Sequence, residues 1–492
     1  MNKKEWVKSL AITIATVLAF SIVFSGCQTA KVTKTGEPVE LTWYYMGASG
    51  DDSVDAQEVF AAANELTKKE LGITVKYLPI SAGEYTQKMQ LKASAAEEFD
   101  LCLTGTNYFP FFDNSKKGAF LPLDELLEKY GKKTKELIPE KIWKATKIGG
   151  KILAVPNYQA SFSKTALVFQ KSLVDKYNLK DQIDKVQTVQ DLTPILEVIK
   201  KNEPNIVPTA LGTKTNLDKI EGYYEKPLAD IPIGVDKDLN VVDLTKGEYR
   251  QKELELEKLS REWYLKGFFH PDAGLKYDVE GQIKERRFFL VGATALPGAE
   301  ADLEKRYGYP VYIAKPGDSI LSASSIAATM TAISRTSKNP EKAMQFIEMV
   351  NSNQELYNLL CFGIQDKHYK KTGENSIEIV ENAGYTAYPW AMGCQFNAYR
   401  LPGQDENVWE ESKRLNEEAY PAPLLGCYID IGNIKTEISN IKTAYQPYKS
   451  VFNGQSEGYE RVHKQLDEQT AKDLEIILKE ITRQVEEFKN TK

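Results

Sequence analysis

Apolar and polar positions follow two periods along this chain, and the stretch from Val39 to Thr104 shows both in turn. Val39–Tyr45 (VELTWYY) is β-branched and aromatic, which predicts a strand. From Asp55 to Leu71, Ala56, Val59, Phe60, Ala63 and Leu66 fall on one helical face, and Gly72 is placed to stop the helix. Ile73–Ile80 (ITVKYLPI) predicts a second strand, Gly83–Ala96 a second helix and Phe99–Thr104 a third strand. This β-α-β-α-β order implies a parallel sheet flanked by helices. Ligands of such sheets sit beyond the carboxyl ends of the strands, which fall here at Tyr44–Gly47 and Thr104–Tyr108.

The later pattern is more broken. A short helix (LDELLEKY) follows Pro122, and Ile148–Val155 reads as a hairpin turned on Gly149-Gly150. Thr188 with Asp191 offers a capping box for a helix running through Ile199. A long helix is expected from Gly247 to Lys266 with Gly267 as its stop, then strands at Arg287–Val291 and Val311–Ala314. Ser325–Ser334 is apolar with small residues, and Pro340 opens another helix. From Gln404 onward the pattern is mostly helical, closing with Tyr459–Lys489. No repeat or low-complexity tract interrupts it.

The N-terminus follows a different rule. Lys3, Lys4 and Lys8 precede Leu10–Phe24, a run that is apolar except for Thr13, Thr16 and Ser21, and Ser25, Gly26 and Cys27 follow. A basic start, about 15 apolar residues and small residues before a cut describe a secretory signal peptide, here residues 1–26. The run falls short of the ~20 residues a spanning helix needs. Phe24-Ser25-Gly26-Cys27 resembles the bacterial lipobox, whose Cys is lipidated and becomes the mature N-terminus; Phe24 stands where Leu is usual. The alternative is a secreted protein whose signal ends near a Cys. Residues 27–40 then read as a polar, flexible linker, able to stand a folded body off a membrane.

About 465 residues remain after such processing, more than one hydrophobic core serves, so two lobes are expected. With 42% hydrophobic and 27% charged residues the chain is a folded one. A net charge of -6 without a concentrated basic face argues against nucleic acid. Tyr is abundant (26 residues, with 6 Trp), and its ring can stack on a sugar while its hydroxyl hydrogen-bonds. Besides Cys27 there are Cys102 and Cys361, which read as buried small hydrophobes, and Cys394 and Cys427. No Cys pair has metal-ligand spacing, and His270, His368 and His463 are scattered, which leaves no zinc motif. No cofactor is implied.

Several segments together resemble the bacterial extracellular solute-binding lipoproteins of ATP-driven (ABC-type) carbohydrate transporters, in their larger Gram-positive subfamily with an extra C-terminal region. They are GEYTQKMQLKASAAEEFDLCLTG, GAFLPLDELLEKYG, GGKILAVPNYQ, RTSKNPEKAMQFIEMVNSNQELYNLL and YPWAMGCQF. The resemblance implies an α/β, two-lobed, periplasmic-binding-protein-like fold of type II, with mixed sheets flanked by helices and a helical C-terminal extension. One lobe is expected from 41–155 plus about 312–350, the other from about 156–311 plus 351–492. It further implies a monomer that is not an enzyme, captures an oligosaccharide, and delivers it to the permease subunits of a transporter while anchored to the outer face of the membrane. Cys394 departs from the subfamily's Asn, and Cys427 stands where an aromatic is common. Two buried free thiols are the reading favoured there, with a Cys394–Cys427 disulfide as the alternative.

Candidate ligand-binding residues follow from the strand ends and the aperiodic aromatic segments. Tyr44 and Tyr45 end the first strand, one expected to face the cleft and one the core. Asn107 and Tyr108 lie on the loop after the third strand; Asn157, Tyr158 and Gln159 flank the first crossing between lobes. Trp390, between Pro389 and small residues, is the leading stacking residue, with Phe396 and Arg400 behind it. Trp263 and Tyr264 are read as core, and Phe268-Phe269-His270 as either a cleft lining or a packed helix end. Two rivals stay open. One is a surface glycoside hydrolase, which needs a carboxylate pair that any acidic chain can supply, although no nucleophile elbow, Walker loop or His-Glu-x-x-His motif occurs. The other is a glycan receptor uncoupled from transport.

Overall fold

The computed structural model describes residues 38–47, 53–211, 225–270, 278–452 and 454–490. The expected signal peptide, Cys27 and nearly all of the expected linker lie outside the described residues; Val39 and Glu40, assigned to that linker, already belong to the first strand.

The first sheet starts as expected. Strand β1 (Val39–Met46) leads to helix α1 (Val54–Leu71), β2 (Ile73–Ile80), α2 (Ala82–Ser94) and β3 (Leu101–Thr104). Ser53 Oγ accepts the Ala56 N–H at 3.1 Å to start α1, and Gly72, at φ +65°, ends it in the left-handed region. β1 pairs in parallel with both β2 and β3. β2 is the edge strand, and the Asn64 side chain of α1 covers part of it by bonding the Val75 N–H (2.7 Å) and C=O (3.1 Å). Trp43, Tyr45, Tyr77 and Phe346 pack ring against ring in the core beneath, Trp43 edge-on to Phe346 at 5.4 Å.

From there the chain crosses out and back. β4 (Val155–Pro156) completes the first sheet, β5 (Phe162–Ser163) crosses, and β6 (Thr165–Gln170) enters a second sheet. That sheet gains β7 (Val207–Thr209) after helix α3 (Leu192–Asn202), and then, after helix α4 (Gly247–Leu265), β8 (Phe288–Thr294) and β9 (Val311–Ala314), in the order β9-β6-β8-β7. Its strands are buried on both faces: Leu167 and Phe169 point to one core, Ala166 and Val168 to the other. This is why TALVFQ is almost continuously apolar. β10 (Ile320–Leu321) crosses back and β11 (Met330–Ile333) pairs antiparallel with both β3 and β4. Helices α5 (Pro340–Ser352) and α6 (Gln354–Phe362) cover the first core; α7 (Val408–Glu418) precedes the third crossing strand, β12 (Tyr420–Pro421). β5, β10 and β12 form their own three-stranded ribbon.

Helices α8 (Lys435–Tyr445) and α9 (Tyr459–Lys489) close the chain and bury Ile438, Ile441, Leu474, Ile477 and Ile481 against the hairpin around Ile233. α9 is also tied to α4 by charge: Arg250 bonds Asp467 at 2.8 Å and the His463 ring, whose Nε2 faces Glu257 at 2.8 Å. The guanidinium only donates, so His463 accepts at Nδ1 and donates to Glu257 from Nε2.

Three expectations are corrected. Val311–Ala314, placed in the first lobe, pairs with β6 in the second sheet, and residues 351–401, placed in the second lobe, pack on the first core. The return crossing therefore falls at β10, later than the bounds implied by the resemblance, because long-range pairing defines it. Only half of the capping box at Thr188 is built: Asp191 reaches back to the Thr188 N–H, and also accepts the Gln187 N–H, but the helix starts later, at Leu192. Cys394 and Cys427 are free thiols, as favoured, but Cys427 is half-buried while Cys394 is buried. Cys102, Cys361 and Trp263 are core residues, as read, and Phe268, left open, is buried too.

Candidate functional site

The loop after β3 is held more firmly than a surface loop needs to be. A Cβ on Gly105 would lie 2.2 Å from the Ala328 carbonyl oxygen, so only glycine lets the two backbones approach. The Thr106 N–H donates to the Ala327 C=O at 2.8 Å. Phe109 is left-handed (φ 45°) although it has a side chain, a conformation that costs about 1–2 kcal/mol. It is fixed from three sides: its ring is buried edge-on to Phe120, its N–H donates to Thr86 Oγ1 (3.1 Å), and its C=O accepts from Thr104 Oγ1 (2.7 Å). What this framework presents is Tyr108, half-buried, with exposed Asn107 beside it.

A second backbone feature meets it. Pro389–Ala391 is a single 3-10 turn rather than a helix. The Trp390 carbonyl accepts from Thr329 Oγ1 (2.9 Å) and Gln159 Nε2 (3.3 Å), while Tyr357 Oη donates to the Pro389 carbonyl (2.8 Å). The turn is thus fixed by its backbone and leaves its rings half-buried. Tyr388 stacks on Trp390 at 5.3 Å, and Trp390 lies 6.4 Å from Tyr108 at 32°. Three aromatic rings so form a shelf at the carboxyl edge of the first sheet.

Behind the shelf, the other candidates serve as support. Asn157 is 3% exposed; its Oδ1 accepts from Thr331 Oγ1 and its Nδ2 has no hydrogen-bond partner among the described residues. Tyr158 is 2% exposed, edge-on to Phe396 at 4.7 Å, and burial pushes its hydroxyl up to about 12. Gln159 also bonds Thr329 Oγ1 at 3.0 Å and links Trp390 to the crossing strand. Phe396 is buried between Tyr158 and Trp409. Arg400 spends its backbone on the loop and strand at Asn375–Ile377.

Of Tyr44 and Tyr45, one is expected in the core, and Tyr45 is there; Tyr44 is the departure. Strand β1 runs one residue further than the sequence suggested, so Tyr45 shares the inward face of Trp43 and is buried. Tyr44, on the opposite face, lies edge-on to Phe99 with Lys92 of α2 over its ring. Neither joins the shelf.

Beside the crossing strand lies a cavity of about 510 Å³ that the sequence did not indicate. Phe162 and Leu415 supply apolar wall; Lys164 and Lys315 project from the second-sheet side, Asp405 and Glu411 from the side of α7. Both Glu411 oxygens are held by Arg414 (2.6 and 2.9 Å), which keeps its carboxyl below the ordinary range. Asn416 joins cavity to shelf by bonding the Gln159 C=O (2.7 Å) and the Ser161 N–H (2.8 Å). Tyr388 and Thr329 were also missed. Tyr388 had a signal, an aromatic two residues before Trp390; the charged residues of the cavity had none.

Two α/β lobes on a short ribbon of crossing strands, with an aromatic shelf and a cavity near that ribbon, are the build of a receptor that closes on a ligand. The chain matches the family described as "Bacterial extracellular solute-binding protein" over residues 49–356, and it belongs to that family. A carbohydrate ABC transporter substrate-binding protein of Streptococcus pneumoniae serotype 4 (strain ATCC BAA-334 / TIGR4) is 25% identical over 505 positions, covering 99% of this chain and 100% of that protein. Among solved structures, the N-glycan transport solute-binding protein NgtS from Streptococcus pneumoniae is similar at TM-score 0.77 and 24% identity, covering 92% of this chain and 100% of that one. NgtS in complex with Man5GlcNAc is similar at TM-score 0.62 and 25% identity, covering 92% and 99%. Among the described residues no helix is long and apolar enough to cross a membrane.

Proposed function

We propose that this chain is the substrate-binding protein of a carbohydrate ABC transporter, capturing an oligosaccharide on the shelf of Tyr108, Tyr388 and Trp390 and passing it to the permease subunits. The observation that carries this reading is three partly exposed aromatic rings fixed through their backbone at the edge of the first sheet. Flat, rigid rings offer apolar contact to the C–H face of a pyranose at little entropic cost. The names of the relative and of the NgtS complex point the same way. Closure would turn on β5, β10 and β12. A lipid on Cys27 would keep a protein of this kind beside its permease, on the outer face of the membrane and as a monomer.

Binding without catalysis is the better fit to Glu411, the carboxylate held fixed at the cavity. Glycoside hydrolysis needs one carboxyl held protonated as a general acid, whereas Arg414 holds Glu411 ionised. Calorimetric titration with a panel of oligosaccharides tests the reading: saturable binding with intact sugar recovered is expected. Release of cleaved product would overturn it, and unchanged uptake after deletion of the gene would remove the transport role.

A further inference from the structure

We propose, resting on the oligosaccharide reading above, that the cavity beside the shelf is a subsite for a sugar residue carrying a carboxylate. Lys164 stands immediately before β6 and Lys315 immediately after β9. These strands are antiparallel neighbours in the register Ala314 to Leu167, so both lysines leave the same edge of the second sheet and line the same cavity.

By count, two lysines and two carboxylates cancel, but their commitments differ. Glu411 gives both oxygens to Arg414. Asp405 Oδ1 accepts the Asn407 N–H at 2.9 Å. Neither lysine makes an ion pair with a carboxylate among the described residues; Lys315 only helps, from a distance, to hold Glu411 ionised. The groups left to meet a ligand are therefore two ammoniums, which donate and cannot accept, against the single remaining oxygen of Asp405. A carboxylate supplies two acceptor oxygens and the opposite charge, and charge-assisted bonds are the stronger kind. A neutral hydroxyl offers less to both lysines at once. The cavity's about 510 Å³ falls within the range of small-ligand sites, and Phe162 and Leu415 give the ring an apolar side.

The cavity also lies within reach of the shelf. Gln159 bonds the Trp390 carbonyl, and Phe162 is three residues further on, at most about 10 Å along an extended chain. An oligosaccharide lying on the rings would have to span that distance to place a charged residue between the lysines.

The test uses the full chain with three probes: a sialylated N-glycan, a uronate-terminated oligosaccharide, and Man5GlcNAc as a neutral reference. Each acid is titrated beside its own methyl ester by calorimetry. At least one acid is expected to bind about tenfold or more tighter than its ester, a preference that shrinks at high salt. Lys164→Met should abolish the preference and Lys164→Arg should keep it, with unchanged thermal midpoints showing that both variants fold. Esters that bind as tightly as their acids, or a preference that survives Lys164→Met, would overturn the subsite while leaving the oligosaccharide reading standing if Man5GlcNAc binds. Binding of no probe would count against both.

Discussion

At the shelf, each ring is positioned by bonds it does not itself make: Trp390 by its carbonyl, Tyr108 by Gly105 and a strained Phe109. At the cavity, Lys164 and Lys315 are long, rotatable side chains without ion-pair partners among the described residues. On the proposed reading, the two neighbours would divide the work of recognition. A preorganised surface loses little entropy when it binds and so supplies affinity for any sugar with a suitable face. Uncommitted charges must be ordered on binding, and they reward only a ligand that satisfies them, which makes them a source of selectivity.

Substitutions can separate the two. A remote seam calibrates the scale: Arg250→Met leaves Asp467 and Glu253 without their guanidinium between α4 and α9, and should cost about 3–5 kcal/mol of stability while oligosaccharide affinity in the folded protein stays unchanged. Chemical denaturation beside calorimetry reads both. Gly105→Ala drives a methyl into the Ala328 carbonyl, and should cost about 3 kcal/mol. Unlike the seam variant, it should also weaken sugar binding, because the Tyr108 loop must shift. If affinity held, preorganisation of the shelf would be refuted.

Trp390→Ala should leave stability nearly intact, since the ring is only half-buried, and lower sugar affinity about tenfold, or ~1.4 kcal/mol. Tyr108→Ala should do the same to a smaller degree. A loss shared equally by acidic and neutral sugars would mark the shelf as the unselective partner. The smallest effect concerns the thiols. Burial pushes Cys394 up to about 11 and hides Cys102 and Cys361, so iodoacetamide at pH 8 should spare all three in the native protein and label them in denaturant.

The first three strands of the first sheet and the helices between them were readable in the sequence almost to the residue because helix and strand periods and the stop at Gly72 act locally. The path between lobes was not: nothing within Val311–Ala314 says that its partner is Gln170 to Leu167. The site divides in the same way. Tyr108 and Trp390 stood out as aromatics in aperiodic segments, whereas Tyr44, on the face opposite Tyr45, is covered by Phe99 and Lys92, which no local pattern foretells. Lys164, Lys315 and Asp405 meet only through the fold, and in sequence each is an ordinary surface charge.

The central claim is that the backbone-held rings are where sugar binds. Calorimetric titration of the purified chain and of its Trp390→Ala variant with one oligosaccharide that binds tests it most directly. Saturable binding to the parent protein, weakened about tenfold in a variant of unchanged melting temperature, is the predicted result. Equal affinity in the two proteins would place the sugar elsewhere and contradict the account.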